Sequence, residues 1–233
     1  MALLARPSPN FDARPAGVVI EALILHYTGM KTGAEALDRL CDPAAKVSAH
    51  YLIEEDGRIW QLVEEAARAW HAGISSWRGR ARVNDFSIGI ELVNPGHEFG
   101  YRPFPEAQMA ALEALARAIL TRHPIRQRQV LAHSDIAPLR KQDPGELFDW
   151  ARLARSGIGI WPDFSAATEP PSTAGAIQAA LRQIGYACPA TNVLDAETQT
   201  VIAAFQRHFR PACCDGVLDD DSARRLAILA RAG

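Results

Sequence analysis

The stretch VLAHSDIAPLRKQDPG, residues 130–145, puts His133, Lys141 and Asp143 on one connection between a short apolar run and a proline. An imidazole, a carboxylate and an ammonium are the parts needed to hold a divalent metal and to stabilise a negatively charged transition state beside it, so hydrolysis is the first chemistry to consider. The ten-residue step from His133 to Asp143 is too wide for a local zinc signature, and a third ligand must come from elsewhere. His26 in ALILHYTG is the best placed: four apolar residues precede it and Thr28-Gly29 follow, so a buried strand runs out into a loop there. Val130-Leu131-Ala132 delivers His133 in the same way. Two histidines at strand ends with Asp143 would supply three protein ligands and leave a fourth position for water, the pattern of a catalytic zinc.

The other histidines divide by context. His97, His123 and His208 lie in segments of loop or helix-surface character and read as solvated, His50 within an alternating strand reads as structural, and His71 before a glycine reads as a cleft residue. In NDFSIGIELVNPG, residues 84–96, Ile88, Ile90 and Leu92 alternate with Gly89, Glu91 and Val93, which predicts a strand with two unlike faces. A mid-strand carboxylate is costly to bury without a partner. Either Glu91 faces a metal site as a general base, or it pairs with an arginine at the sheet surface.

The elements that must position these groups follow from local patterns. TGAEALDRL reads as a helix after the first strand, VSAHYLI and RIWQLV as a hairpin across Glu55-Asp56-Gly57, and PEAQMAALEALARAILTRH as a long amphipathic helix opening at Pro105. Strand, helix, hairpin, strand, helix, strand predicts an α/β fold: a mixed central sheet flanked by helices, with the site at the ends of central strands.

Taken in order, HYTG, VSAHYLI, RIWQLV, RAWHAGIS, NDFSIGIELVN and AHSDIAPLRKQDPG resemble the zinc-dependent N-acetylmuramoyl-L-alanine amidases of type 2, whose fold is shared with peptidoglycan recognition proteins and small phage lysozymes. The resemblance spans roughly residues 15–165. It implies one zinc per chain on His26, His133 and Asp143, Glu91 as catalytic acid/base and Lys141 as oxyanion stabiliser. It also implies hydrolysis of the amide between the lactyl group of N-acetylmuramic acid, or its 1,6-anhydro form, and L-alanine of the stem peptide. The phage lysozyme branch carries a tyrosine just before the histidine that is His50 here, and a cysteine as third ligand; this chain has Ala49 and Asp143, which sides with the glutamate-dependent bacterial branch. Recognition proteins that bind without cutting typically lack the complete ligand set. Trp70, His71 and Trp77 share a loop that forms a substrate-binding cleft wall or else packs in the core.

The catalytic domain is expected over residues 1–163, a linker over 164–175 where small residues and Pro170-Pro171 break the periodicity, and a helical domain over 176–233. AIQAALRQIGY, DAETQTVIAAFQRHF and DDDSARRLAILARA predict three helices, with Asp195 and Asp219 as N-caps of the second and third. This tail resembles the small peptidoglycan-binding domain appended to cell-wall hydrolases; the alternative is an appendage that only packs. The net charge of −2 argues against a nucleic-acid partner, and muropeptides or peptidoglycan are the implied ones. No segment approaches membrane-spanning length, and nothing in the sequence sets the oligomeric state. Four cysteines without CxxC spacing read as free thiols. The N-terminus shows no signal-peptide apolar run, which read literally predicts a cytoplasmic protein acting on recycled muropeptides; a removed signal would place it in the periplasm or at the outer membrane.

Overall fold

The computed structural model describes residues 2–163, 165 and 168–231. Phe164, Ala166 and Ala167 of the expected linker, and the ends of the two expected domains at Met1 and at Ala232-Gly233, lie outside the described residues.

In chain order the elements are β1 (Leu3–Ala5), β2 (Phe11–Ala13), β3 (Ala22–Tyr27), α1 (Gly33–Cys41), β4 (Tyr51–Ile53), β5 (Ile59–Gln61), β6 (Ala67–Ala69), β7 (Ser76–Trp77), β8 (Arg80–Ala81), β9 (Ser87–Leu92), α2 (Gly96–Phe99), α3 (Glu106–Arg122), β10 (Val130–Ala132), α4 (His133–Ile136) and α5 (Trp150–Arg155). Three further helices follow: α6 (Ala174–Ile184), α7 (Ala196–Phe209) and α8 (Asp220–Arg231). The main sheet runs β1-β5-β4-β9-β3-β10, parallel except at the β4-β5 hairpin. The hairpin turn needs Gly57, at φ 87°, because a Cβ there would press on the Ala107 carbonyl oxygen at 2.8 Å. The mixed sheet is the one the sequence predicts; the edge strand β1, paired in parallel with β5, is an addition the patterning does not reveal.

One face of the sheet carries Leu23, Leu25, Ile88, Ile90 and Leu92, packed under the α3 stripe Met109, Leu112, Leu115 and Ile119. Burying each such side chain is worth about 1.5–3 kcal/mol. Helix α3 starts at Glu106, since Pro105 is extended (ψ 151°) and acts as the N-cap, one position earlier than expected of it. The opposite face, with Ala22, Ile24 and Leu131, is continuous with Ile177, Leu181, Val201, Phe205 and Leu226 of the C-terminal helices. Asp195 caps α7 through the Thr198 N–H at 2.8 Å, and Asp219 accepts from the Ser222 N–H at 2.8 Å, as predicted. Helix α6 opens at Ala174, capped by Thr173, so helix begins inside the stretch expected to be linker.

His208 corrects a sequence expectation. It is 2% exposed rather than solvated, stacks on Trp150 at 3.7 Å, and its Nδ1 lies 2.7 Å from Asp135 Oδ2. Asp135, fully buried, also accepts from the Tyr186 hydroxyl (2.6 Å) and the Ala132 N–H (2.8 Å). Helical surface character hid this contact, although Val201, Phe205 and His208 stand at i, i+4 and i+7 on one stripe. Asp135→Ala would leave three buried polar partners unpaired. We expect a loss of about 3–5 kcal/mol, read as a lower urea midpoint with unchanged slope.

Candidate metal and catalytic site

The strand register assembles the site. His26 and Glu91 are direct partners on the parallel strands β3 and β9, and Ala132 at the end of β10 pairs with Leu25, so His133 emerges beside His26. All three lie at the carboxyl ends of their strands, where parallel sheets open to ligands. The loop after α4 returns Asp143 to the same point, tied by the Ser134 N–H donating to the Asp143 carbonyl at 3.0 Å.

Three side-chain atoms converge. His26 Nδ1 and His133 Nδ1 are 2.9 Å apart, and Asp143 Oδ2 lies 3.1 Å from the first and 3.0 Å from the second. All three residues are buried. Burial, and then the neighbouring His133 ring, lower the His26 imidazole to about 4, so it is neutral at pH 7 with a free lone pair. Burial alone would raise the Asp143 carboxyl; the two histidines outweigh it and hold it well below the usual carboxylate range. Neutral imidazole and ionised carboxylate are the forms that bind metal. Ligands at about 2.0–2.1 Å from a tetrahedral zinc stand roughly 3.3 Å apart, so this triangle fits such an ion with slight expansion. His133 Nε2 faces the Ala72 carbonyl at 3.2 Å, the outer partner a ligating histidine normally has.

A cleft of about 410 Å³ opens over this cluster, lined by Trp70, His71, Glu91, His133, Lys141 and Asp143 among others. Among the described residues Glu91 pairs with no arginine. Its Oε2 is buried without a hydrogen-bond partner, and burial, with the Asp143 charge next, pushes its carboxyl well above the usual range against the opposing pull of Lys141. Of the two sequence alternatives for Glu91, the surface pair with an arginine is not formed, and the side chain lines the cleft with His133 and Asp143. Lys141 stands on the cleft wall two residues before Asp143.

The loop aromatics separate. Trp70 lines the cleft half-buried, whereas Trp77 is 3% exposed in the core, where its Nε1–H donates to Gln129 Oε1 at 2.8 Å and its ring meets Tyr186 edge-on. His71 reaches the cleft, but both of its nitrogens are already engaged by His26 and Ser87. Its backbone N–H and that of Ala72 are held by Asn84 Oδ1. His50 has the structural place expected of it: its Nδ1 accepts from the Gly89 N–H at 3.0 Å. Sequence reasoning missed Ser87, Asn84 and the outer role of His71. The available signal was the run of small residues, Ser87 and Gly89, on the face of β9 that ends in Glu91.

A two-histidine, one-carboxylate cluster at the open ends of parallel strands, with a buried carboxylate beside it, defines a metal-dependent hydrolase. Comparison with known proteins narrows the class. The family described as N-acetylmuramoyl-L-alanine amidase matches residues 16–146, and the putative peptidoglycan binding domain matches residues 172–226. The chain is 42% identical over 231 residues to the N-acetylmuramoyl-L-alanine amidase AmiD of Escherichia coli (strain K12), covering 91% of this chain and 82% of AmiD. It is 40% identical to the 1,6-anhydro-N-acetylmuramyl-L-alanine amidase AmpD of the same organism, over 63% of this chain and 87% of AmpD. AmpDH3 of Pseudomonas aeruginosa has a similar crystal structure, with a TM-score of 0.83 at 36% identity over 97% of this chain and 98% of that one. This chain belongs to the N-acetylmuramoyl-L-alanine amidase family and carries a C-terminal peptidoglycan-binding-type domain.

Proposed function

We propose that the enzyme cuts the lactyl amide of muropeptides, including the 1,6-anhydro form, with one zinc held by His26, His133 and Asp143. The observation that carries the proposal is the convergence of three ligand atoms within about 3 Å of one another, next to the Glu91 carboxyl, whose Oε2 has no hydrogen-bond partner among the described residues. Bound zinc supplies Lewis acidity at the lactyl carbonyl and acidifies water. The positive charge of a bound zinc would offset the burial that favours the protonated Glu91. Ionised, Glu91 accepts a proton from the attacking water and returns it to the leaving nitrogen of L-alanine as the C–N bond breaks, giving a free lactyl carboxylate and a stem peptide with a new amino terminus. Lys141 offers positive charge to the oxyanion that develops on the carbonyl oxygen. Trp70 presents an aromatic face on the wall of the same cleft.

Substrate class is supported by the relatives. E. coli AmiD has been crystallised with anhydro-N-acetylmuramic acid-L-Ala-D-gamma-Glu-L-Lys, and AmpDH3 with anhydromuramic pentapeptide. Digestion of anhydro-muropeptides and of intact sacculi, read by mass spectrometry, tests the reading. A peptide beginning with intact L-alanine and a peptide-free sugar are expected; cleavage inside the stem peptide would make the protein a peptidase, and no cleavage a recognition module. Metal analysis of the purified protein should find one zinc per chain.

The C-terminal domain is proposed to hold wall polymer while packed on the catalytic domain. Sedimentation of the full-length Glu91→Ala protein with sacculi, against a control protein, tests this; no enrichment leaves only the packing role. The compartment is part of the same proposal: recycled muropeptides are the substrate if the protein is cytoplasmic, and polymeric wall, which the tail would hold, if it lies in the periplasm or at the outer membrane; fractionation of the natural protein separates the two. No described helix is long and apolar enough to cross a membrane.

A further inference from the structure

We infer that Ser87 and His71 form a one-way hydrogen-bond relay that fixes the proton of His26 on Nε2 and so turns its Nδ1 lone pair toward the metal position. The inference rests on the metal-site reading above and concerns two positioning residues that lie behind the ligands.

The direction of each bond follows from counting hydrogens. The Val83 carbonyl can only accept, so the Ser87 hydroxyl, 2.7 Å away, spends its single hydrogen there. Toward His71 Nε2, at 3.2 Å, that hydroxyl can then only accept, which puts the His71 hydrogen on Nε2. A neutral imidazole protonated on Nε2 has a bare Nδ1. This Nδ1 lies 3.0 Å from His26 Nε2 and accepts its hydrogen. What remains on His26 is the Nδ1 lone pair, the atom that faces His133 Nδ1 and Asp143 Oδ2.

His133 reaches the same tautomer in one step, by facing the Ala72 carbonyl. The two ligands are therefore oriented by consecutive residues, 71 and 72, and Asn84 holds the backbone N–H of both. The sheet makes room for the relay. Ser87 and Gly89 occupy the face of β9 that ends in Glu91, and a Cβ at Gly89 would overlap the His71 ring. The alternation that makes this face small is thus the space the relay needs.

Nitrogen-15 NMR of the imidazoles in the zinc-free full-length protein tests the direction without any variant. Both His26 and His71 are expected as Nε2–H tautomers; an Nδ1–H tautomer at His71 would overturn the relay. Chelator competition then tests its consequence for affinity. His71→Leu, which removes the acceptor, is expected to weaken zinc binding by about 10–100-fold, as for other outer partners of ligating histidines. His71→Asn places an amide oxygen near the Nδ1 position and should recover most of that loss. Equal losses in the two variants, or wild-type affinity in His71→Leu, would count against the proposal. If His71→Leu does not fold, Ser87→Ala is the substitute, with appearance of the Nδ1–H tautomer at His71 as the expected reading and an unchanged tautomer as the opposing one. A wild-type protein that fails to cleave muropeptides would sink the functional reading and leave the tautomers as they are.

Discussion

Glu91→Gln is expected to retain zinc and to lose about 10²–10⁴-fold in kcat. The substitution keeps the shape and burial of the side chain, and Glu91 is not among the three atoms that form the ligand triangle. What it removes is the proton acceptor. The carboxylate stands in strand register with His26, so its place over the cluster is set by the sheet rather than by a mobile loop. Its Oε2 has no partner among the described residues, so no structural hydrogen bond at that atom is lost with it. Steady-state release of stem peptide, with metal analysis of the same preparation, separates the outcomes. An unchanged kcat would move proton transfer to another group, and loss of zinc would make Glu91 a ligand.

Asp143→Ala should have the other large effect, and of a different kind. It removes the one carboxylate of the proposed ligand set and leaves two imidazoles whose Nδ1 atoms sit 2.9 Å apart. Zinc affinity should fall well beyond the roughly 10–100-fold cost of losing an outer partner, and activity should fall to background. The loop itself should persist, because the backbone bond from Ser134 to the Asp143 carbonyl does not involve the side chain. Thermal unfolding provides the check. Added zinc raises the midpoint of a protein that binds it in the folded state, so a zinc-dependent rise in the wild type and none in Asp143→Ala is expected. The same rise in both would remove Asp143 from the ligand set. In the wild type, chelation should abolish cleavage and added zinc restore it.

The parts of this site that were legible in the sequence are those carried by their own local context. His26 and His133 each end an apolar run, and Glu91 interrupts an alternating one, so strand ends and faces could be read before any contact was known. Asp143 and Lys141 came with His133 on one loop. The hidden parts depend on pairings between distant segments. His71 bonds His26 across 45 positions, and His208 bonds Asp135 across 73; neither segment contains a mark of its partner. Trp77 shows the same limit from the opposite side. Its loop left cleft wall and core equally open, and the C-terminal helices, from a distant segment, make it core. The burial of the tail helices against the sheet was hidden too, since an amphipathic helix does not say which surface it will meet.

That shared core bears on how the enzyme would work along a polymer. A binding module on a free tether samples a volume, and its benefit is a raised local concentration of substrate. Here Phe205, Leu181 and Leu226 are in one cluster with Ile24 and Leu131 of the catalytic sheet, and Tyr186 and His208 are fastened to Asp135, two residues beyond His133. If the tail binds wall as proposed, it would be a ruler rather than a leash. A glycan strand held by it would meet the cleft at one fixed offset, and stem peptides at that spacing would be cut in preference to their neighbours.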